Sequence, residues 1–127
     1  QTALDSFLPR CQRENASIVI GGPFNSGILA TGPVAGATYD YEPAPAAILE
    51  RVRRIESVCE AHGVPLAAAA LRFPLTHPSV AAVIPGMSSR NHLQRNLQLI
   101  GQTIPAGLWS DLKSEGLLRT DAPVPQD

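Results

Sequence analysis

Charge of one sign, clustered cysteine and long apolar runs are all missing from this sequence. Its 127 residues carry 10 Lys and Arg against 11 Asp and Glu, a formal net charge of -1. No basic field is available to attract a phosphate backbone, so nucleic acid is not expected as a partner. The 2 cysteines, Cys11 and Cys59, form no CxxC or other dense metal pattern; a reduced pair in a cytosolic setting is preferred over a disulfide or a metal role. Cys59 and His62 share a helical face at i, i+3, with His77 or His92 as candidate supplements. They lack a convergent third ligand, so no metal site is assigned. No run approaches membrane-spanning length and no basic segment precedes an apolar secretory stretch. A cytoplasmic protein with no membrane partner is therefore expected. Both phosphate-loop fingerprints, the Walker-A lysine and GxGxxG, are also absent, which removes the P-loop and Rossmann readings. The first residue is Gln1 rather than Met, and an upstream portion is expected.

What is present is a set of apolar segments punctuated by 10 Gly and 12 Pro. Leu4, Phe7, Leu8 and Cys11 mark a helical stripe over about Ala3 to Arg13, which Pro9 can divide. Ser17 to Ile20 is a β-branched run stopped by Gly21-Gly22-Pro23, and reads as a strand with a loop at its carboxyl end. Gly32 to Pro45 reads as a long polar connection in which Tyr39 and Tyr41 can cover an apolar surface. Ile48, Val52, Ile55 and Cys59 repeat at helical spacing over about Ala46 to His62; Pro45 suits the start and Gly63 the left-handed position past the end. Glu50 can pair with Arg54 on that helix. Pro65 to Phe73 is a second helix, rich in Ala, that Pro74 or Pro78 can terminate. Val80 to Ile84 is a second strand, again ending in Pro-Gly. Ser88 or Ser89 can cap a helix from Arg90 to Ile100. A last helix runs from Ala106 through Leu112 with Trp109 as a core anchor, and residues from about 119 to 127 read as a surface tail.

Strands alternating with helices indicate an α/β architecture with parallel strands. Both strands are apolar nearly throughout, as expected when each sheet face is covered. Ligand sites in such folds gather at the carboxyl ends of strands, which draws attention to two loops. In the first, Gly22 and Gly27 permit close backbone approach, Asn25 and Ser26 can donate hydrogen bonds, and Phe24 can lie against a planar ring. An ordinary tight turn would use the same letters. In the second, Gly86, Met87 and Ser88 precede a helix start whose free N–H groups can cradle a phosphate, with Arg90 adding positive charge. His92 and Asn96 lie four residues apart and can face a common ligand.

Taken together, Ser17-Ile-Val-Ile-Gly-Gly-Pro-Phe-Asn-Ser-Gly-Ile-Leu-Ala-Thr, then His62-Gly-Val-Pro with an alanine-rich helix, then Val83-Ile-Pro-Gly-Met-Ser-Ser, resemble the aldo-keto reductase family. The likeness is strongest to its branch of aldose, fucose and pyridoxal dehydrogenases. The resemblance implies that residues 1–127 are a partial (β/α)₈ TIM-barrel domain, its C-terminal segment, with Ile18 to Gly21 as the seventh strand and Ala81 to Ile84 as the eighth. It implies a cofactor site at Gly22, Pro23, Phe24, Asn25, Ser26 and Gly27 on the nicotinamide and pyrophosphate side. Gly86, Met87, Ser88, Arg90, His92 and Asn96 would then serve the adenosine side, Asn96 against the adenine.

The activity implied is hydride transfer between NAD or NADP and an aldose or an aromatic aldehyde or alcohol. His92 stands where NADP-preferring relatives often place Arg, and Gly86 where several place Lys; neither reproduces a permanently charged clamp, so NAD is favoured. The family's Tyr, Asp, Lys and His acid/base set belongs to the missing N-terminal barrel portion, leaving no catalytic residue in this chain and an isolated segment expected to be inactive. The alternative is a non-catalytic nucleotide-binding or assembly module.

Overall fold

A computed structural model of the protein describes residues 2–124. The chain opens with a 3₁₀ turn at Thr2–Leu4 and helix α1 at Phe7–Arg13. The expected single helix is thus divided ahead of Pro9, which lies in the first turn of α1 where an amide donor has no intrahelical partner to lose. Strand β1 (Ile18–Gly21) follows, then a loop, the single helical turn α2 (Ile28–Thr31), and a hairpin of β2 (Thr38–Tyr39) and β3 (Glu42–Pro43). The hairpin lies inside the stretch expected to be a structureless connection. Asp40 and Tyr41 form its two-residue turn with φ of 51° and 66°, the left-handed pair that a type I′ turn requires. Tyr39 packs on the core, whereas Tyr41 is 90% exposed.

Helix α3 (Ala46–Ala61) is the longest element. It ends at Gly63 (φ 66°), where the Gly63 amide donates to the Glu60 carbonyl and the Val64 amide to the Cys59 carbonyl, both at 2.9 Å. That double bond pattern is a Schellman closure, and it turns the chain sharply into α4 (Leu66–Arg72). Pro74 lies in a following 3₁₀ turn, Phe73–Thr76. Strand β4 (Val80–Ile84), α5 (Arg90–Ile100) and α6 (Ala106–Ser114) complete the order. Helix α6 closes as α3 does: Gly116 adopts φ 68°, and the Gly116 and Leu117 amides donate to the Lys113 and Leu112 carbonyls.

The core lies among α3, α4 and α6. Cys59, Ala68 and Leu108 are fully buried, with Leu71, Trp109 and Leu117 beside them. Ala67, Ala68 and Ala69 are all buried, so the alanine-rich helix uses its small side chains to bring neighbouring backbones close. Residues beyond α6 join this packing: Ala122 is buried, Lys113 donates to its carbonyl at 2.8 Å, and Thr76 donates to the Pro123 carbonyl at 2.7 Å. Glu50 pairs with Arg53 at i, i+3 rather than with Arg54, which reaches Glu115 instead.

The barrel expectation is corrected by the sheets. Among the described residues there are two open two-stranded sheets, β1 with β4 and β2 with β3. The first is parallel and the second antiparallel. Barrel closure requires each strand to find a neighbour on both sides around a full ring. Here β1 and β4 pair only with each other, so a seventh-and-eighth-strand assignment within a TIM barrel is not supported. The expectation that both sheet faces are covered fails for a related reason. Burial in β1 alternates, with Ile18 and Ile20 half-buried and Val19 exposed, because packing reaches one face of the sheet; Val19 and Ile84 remain 56% and 60% exposed.

Candidate functional site

Parallel pairing decides where the chemistry can gather. Gly21 sits opposite Ile84 in register, and the Gly22 amide extends the ladder by donating to the Ile84 carbonyl at 3.2 Å. The loops following β1 and β4 therefore leave the sheet side by side, on one edge. Gly22 takes φ 60° to turn the chain away, a conformation that costs a residue with a Cβ about 1–2 kcal/mol.

The first loop is held by an unusual backbone. Asn25, Ser26 and Gly27 have successive φ values of 45°, 58° and 102°. The hairpin stabilises this run. The Asn25 carboxamide oxygen accepts from the Asp40 amide at 3.2 Å, and the Ser26 hydroxyl oxygen accepts from the Tyr41 amide at 2.8 Å. Thr38 in turn donates its hydroxyl to the Ser26 carbonyl at 2.8 Å. Since the Ser26 oxygen acts as acceptor here, its own O–H stays available to donate.

The second loop delivers the start of α5. Ser89 caps that helix, its hydroxyl accepting from the His92 amide at 3.2 Å. The remaining N-terminal amides and the helix dipole leave this end partially positive. The Ser88 amide donates to His92 Nδ1 at 3.4 Å. The Ser88 hydroxyl also lies 3.2 Å from the same Nδ1, so the His92 ring is tied back to the loop that precedes its helix.

Between the two loops lies a cavity of about 360 Å³. From the first loop and α2 it is lined by Gly22, Phe24, Ser26, Gly27, Ala30 and Thr31. From the second loop and α5 come Gly86, His92, Arg95, Asn96 and Leu99, and Ala67 of α4 completes the wall. Gly22, Phe24, Ser26 and Gly27 are thus brought together with Gly86, His92 and Asn96 from a distant stretch of the sequence. Pro23 is buried, and Met87, Ser88 and Arg90 are exposed, outside this lining; Asn25 faces a different cavity.

Arg95 was not among the expected residues. Its guanidinium reaches the Ala30 carbonyl at 3.5 Å, spanning from α5 to α2 along the cavity. The signal was present in the spacing: His92, Arg95, Asn96 and Leu99 follow i, i+3, i+4, i+7 and share one helix face. Pairing only His92 with Asn96 overlooked it.

The thiols and the remaining histidines lie elsewhere. Cys11 and Cys59 are unpaired. Burial, with Glu56 and Glu60 adding like-charge repulsion, pushes the Cys59 thiol up to about 11, so it stays protonated at neutral pH. His62 joins α3 to α6 through Asp111 at 2.7 Å, and no group of three or more His, Cys, Asp or Glu converges among the described residues.

The cavity lies beyond the carboxyl ends of adjacent parallel strands, between a glycine-rich turn and the first turns of α5, which is where α/β folds commonly place their ligand sites. Sequence comparison makes the class specific. The Aldo/keto reductase family matches residues 5–114, and the chain belongs to that oxidoreductase family.

Two relatives show where within the family the similarity lies. The chain is 41% identical over 118 residues to a pyridoxal 4-dehydrogenase of Microbacterium luteolum, covering 93% of this chain and 34% of that protein. It is 38% identical over 121 residues to a D-threo-aldose 1-dehydrogenase of a Pseudomonas species, covering 94% and 37%. The chain therefore spans about a third of the length of these relatives. Its fold is similar to part of a thermostable aldo-keto reductase solved with the inhibitor epalrestat, with TM-score 0.57 and 20% identity over 89% of this chain and 34% of that one. Among the described residues no helix is long and apolar enough to cross a membrane.

Proposed function

We propose that this chain forms the cofactor-holding part of an NAD(P)-dependent oxidoreductase acting on an aldose or an aromatic aldehyde or alcohol. The observation that carries the reading is the convergence of both strand-end loops and the His92–Arg95–Asn96 face of α5 on one cavity. Its residues suit a dinucleotide. The α5 start offers partial positive charge to a phosphate, the Ser26 hydroxyl and the His92 ring can hydrogen-bond ribose or phosphate oxygens, and Asn96 carries both donor and acceptor for an adenine edge. Phe24 supplies an aromatic wall. Gly22, Gly27 and Gly86 let the ligand approach the backbone, and nothing lies within 4 Å of the Cβ positions at these glycines, so the space there is open.

When bound, the nicotinamide would exchange a hydride with the substrate. This chain's residues then bind and orient it; the proton-transfer group is assigned to no residue here, and full catalysis needs further chain. NAD is favoured over NADP: His92 and Gly86 do not reproduce a permanently charged phosphate clamp, and Arg95 is engaged with Ala30. Titration of NADH and NADPH into the chain by calorimetry tests both levels of the proposal. Saturable binding that Asn96→Ala weakens supports the site; tighter NADPH binding reverses the cofactor preference, and no binding of either sinks the reading.

A further inference from the structure

The wall that α5 gives to the cavity between the two strand-end loops is one-sided in its chemistry. His92, Arg95, Asn96 and Leu99 come from the helix, and no aspartate or glutamate belongs to the lining. Helix α5 itself carries neither acidic residue. Arg95 is exposed and forms no ion pair among the described residues. Its one contact there is to the Ala30 carbonyl at 3.5 Å, the long end of the hydrogen-bond range. A guanidinium has five N–H donors, so that contact leaves the others for a ligand.

Arg95 and Asn96 are consecutive, yet both line the cavity. A nucleobase edge read by Asn96 therefore meets the guanidinium beside it, and the two side chains ask different things of that edge. A carboxamide both donates and accepts, and matches the amino group and N7 of adenine; a guanidinium only donates, and matches O6 and N7 of a 6-oxopurine. Beside an amino group, the Arg95 donors face another donor. Beside a carbonyl oxygen they form charge-assisted hydrogen bonds, and the Asn96 amide can turn to present its own N–H.

We infer that Arg95 is a specificity-determining residue for the base, and that it opens this site to a dinucleotide carrying hypoxanthine in place of adenine. The inference rests on the dinucleotide reading above and adds the base edge that the site accepts.

Reduced nicotinamide hypoxanthine dinucleotide differs from NADH in the base alone, so the pair isolates this contact. Calorimetric titration of both into the 127-residue chain gives two dissociation constants and their ratio. The wild-type chain is expected to bind the hypoxanthine dinucleotide at least as tightly as NADH. Arg95→Gln, which removes the charge and most of the donors, is expected to move the ratio about fivefold toward NADH. Arg95→Glu, which only accepts at neutral pH, is expected to move it further. Loss of the Ala30 contact would weaken both ligands alike and leave the ratio where it was, so the ratio separates recognition from structure. The inference is overturned if the wild type binds NADH several-fold more tightly, or if Arg95→Gln keeps the wild-type ratio. If neither dinucleotide binds the wild-type chain, the dinucleotide reading fails and takes this inference with it; binding of both with an unmoved ratio overturns this inference alone.

Discussion

Ser26 joins loop geometry to ligand contact, and replacing it separates the two. Its hydroxyl oxygen accepts from the Tyr41 amide at 2.8 Å, and its backbone sits at φ 58°. Ser26→Ala deletes the acceptor but leaves a Cβ in the left-handed region. Water can reach the freed Tyr41 amide, so the loss is the net value of one hydrogen bond, about 1 kcal/mol. Ser26→Gly deletes the same acceptor yet removes the left-handed penalty, about 1–2 kcal/mol. The glycine variant should therefore be about 1 kcal/mol more stable than the alanine variant, a separation of about 3–6 °C in Tm for a chain of this size. Both should weaken NADH binding by about fivefold, since each removes the same hydroxyl donor from the cavity. Thermal denaturation by circular dichroism and calorimetric titration give the two readouts. If alanine proves as stable as glycine, the left-handed strain is not what the loop stores; if all three proteins bind NADH equally, the hydroxyl makes no contact with it.

Gly63→Ala should lose about 1–2 kcal/mol in urea denaturation, because φ 66° is required there while no neighbour lies within 4 Å. Gly86→Ala, with equal space and no positive φ, should be nearly neutral. Asn96→Ala should weaken NADH about five- to tenfold in calorimetry with an unchanged circular dichroism spectrum, since the residue is half-buried in the cavity wall. Raising the Cys59 thiol from 9.0 to about 11 means the native state keeps a proton that the unfolded chain loses. That stabilisation is complete below pH 9 and lost as pH rises toward 11. Relative to Cys59→Ala, the wild-type protein should thus lose stability between pH 9 and 11, and parallel stability curves would refute the assignment.

The strands, the long helix and its glycine stop were legible because each rests on local chemistry. The β-branched run Ile18-Val19-Ile20, the Ile48, Val52, Ile55 and Cys59 repeat, and the left-handed Gly63 all carry their instruction within a few residues. The hairpin was hidden because Asp40-Tyr41 is not the Asn-Gly pair that marks a type I′ turn; its left-handed residues are held by Asn25 and Ser26 from a distant loop. Sheet closure was misjudged because apolar strands signal burial without saying what buries them. In the site, glycine-rich strand ends could be read directly, and the helical spacing places Arg95 on the face of His92 and Asn96, but its partner, the Ala30 carbonyl, is fixed only by the tertiary fold.

The parallel pairing of β1 and β4 also orders events in time. Gly21 and Ile84 are register partners 84 − 21 = 63 positions apart. Closing a loop of that length carries an entropic penalty of about 4 kcal/mol from its length dependence alone. The two walls of the cavity thus meet through long-range contacts alone, and earlier condensation of the helices between them would shorten the effective gap. Refolding should therefore show helical signal before dinucleotide capture, so that binding competence is among the last properties the chain acquires.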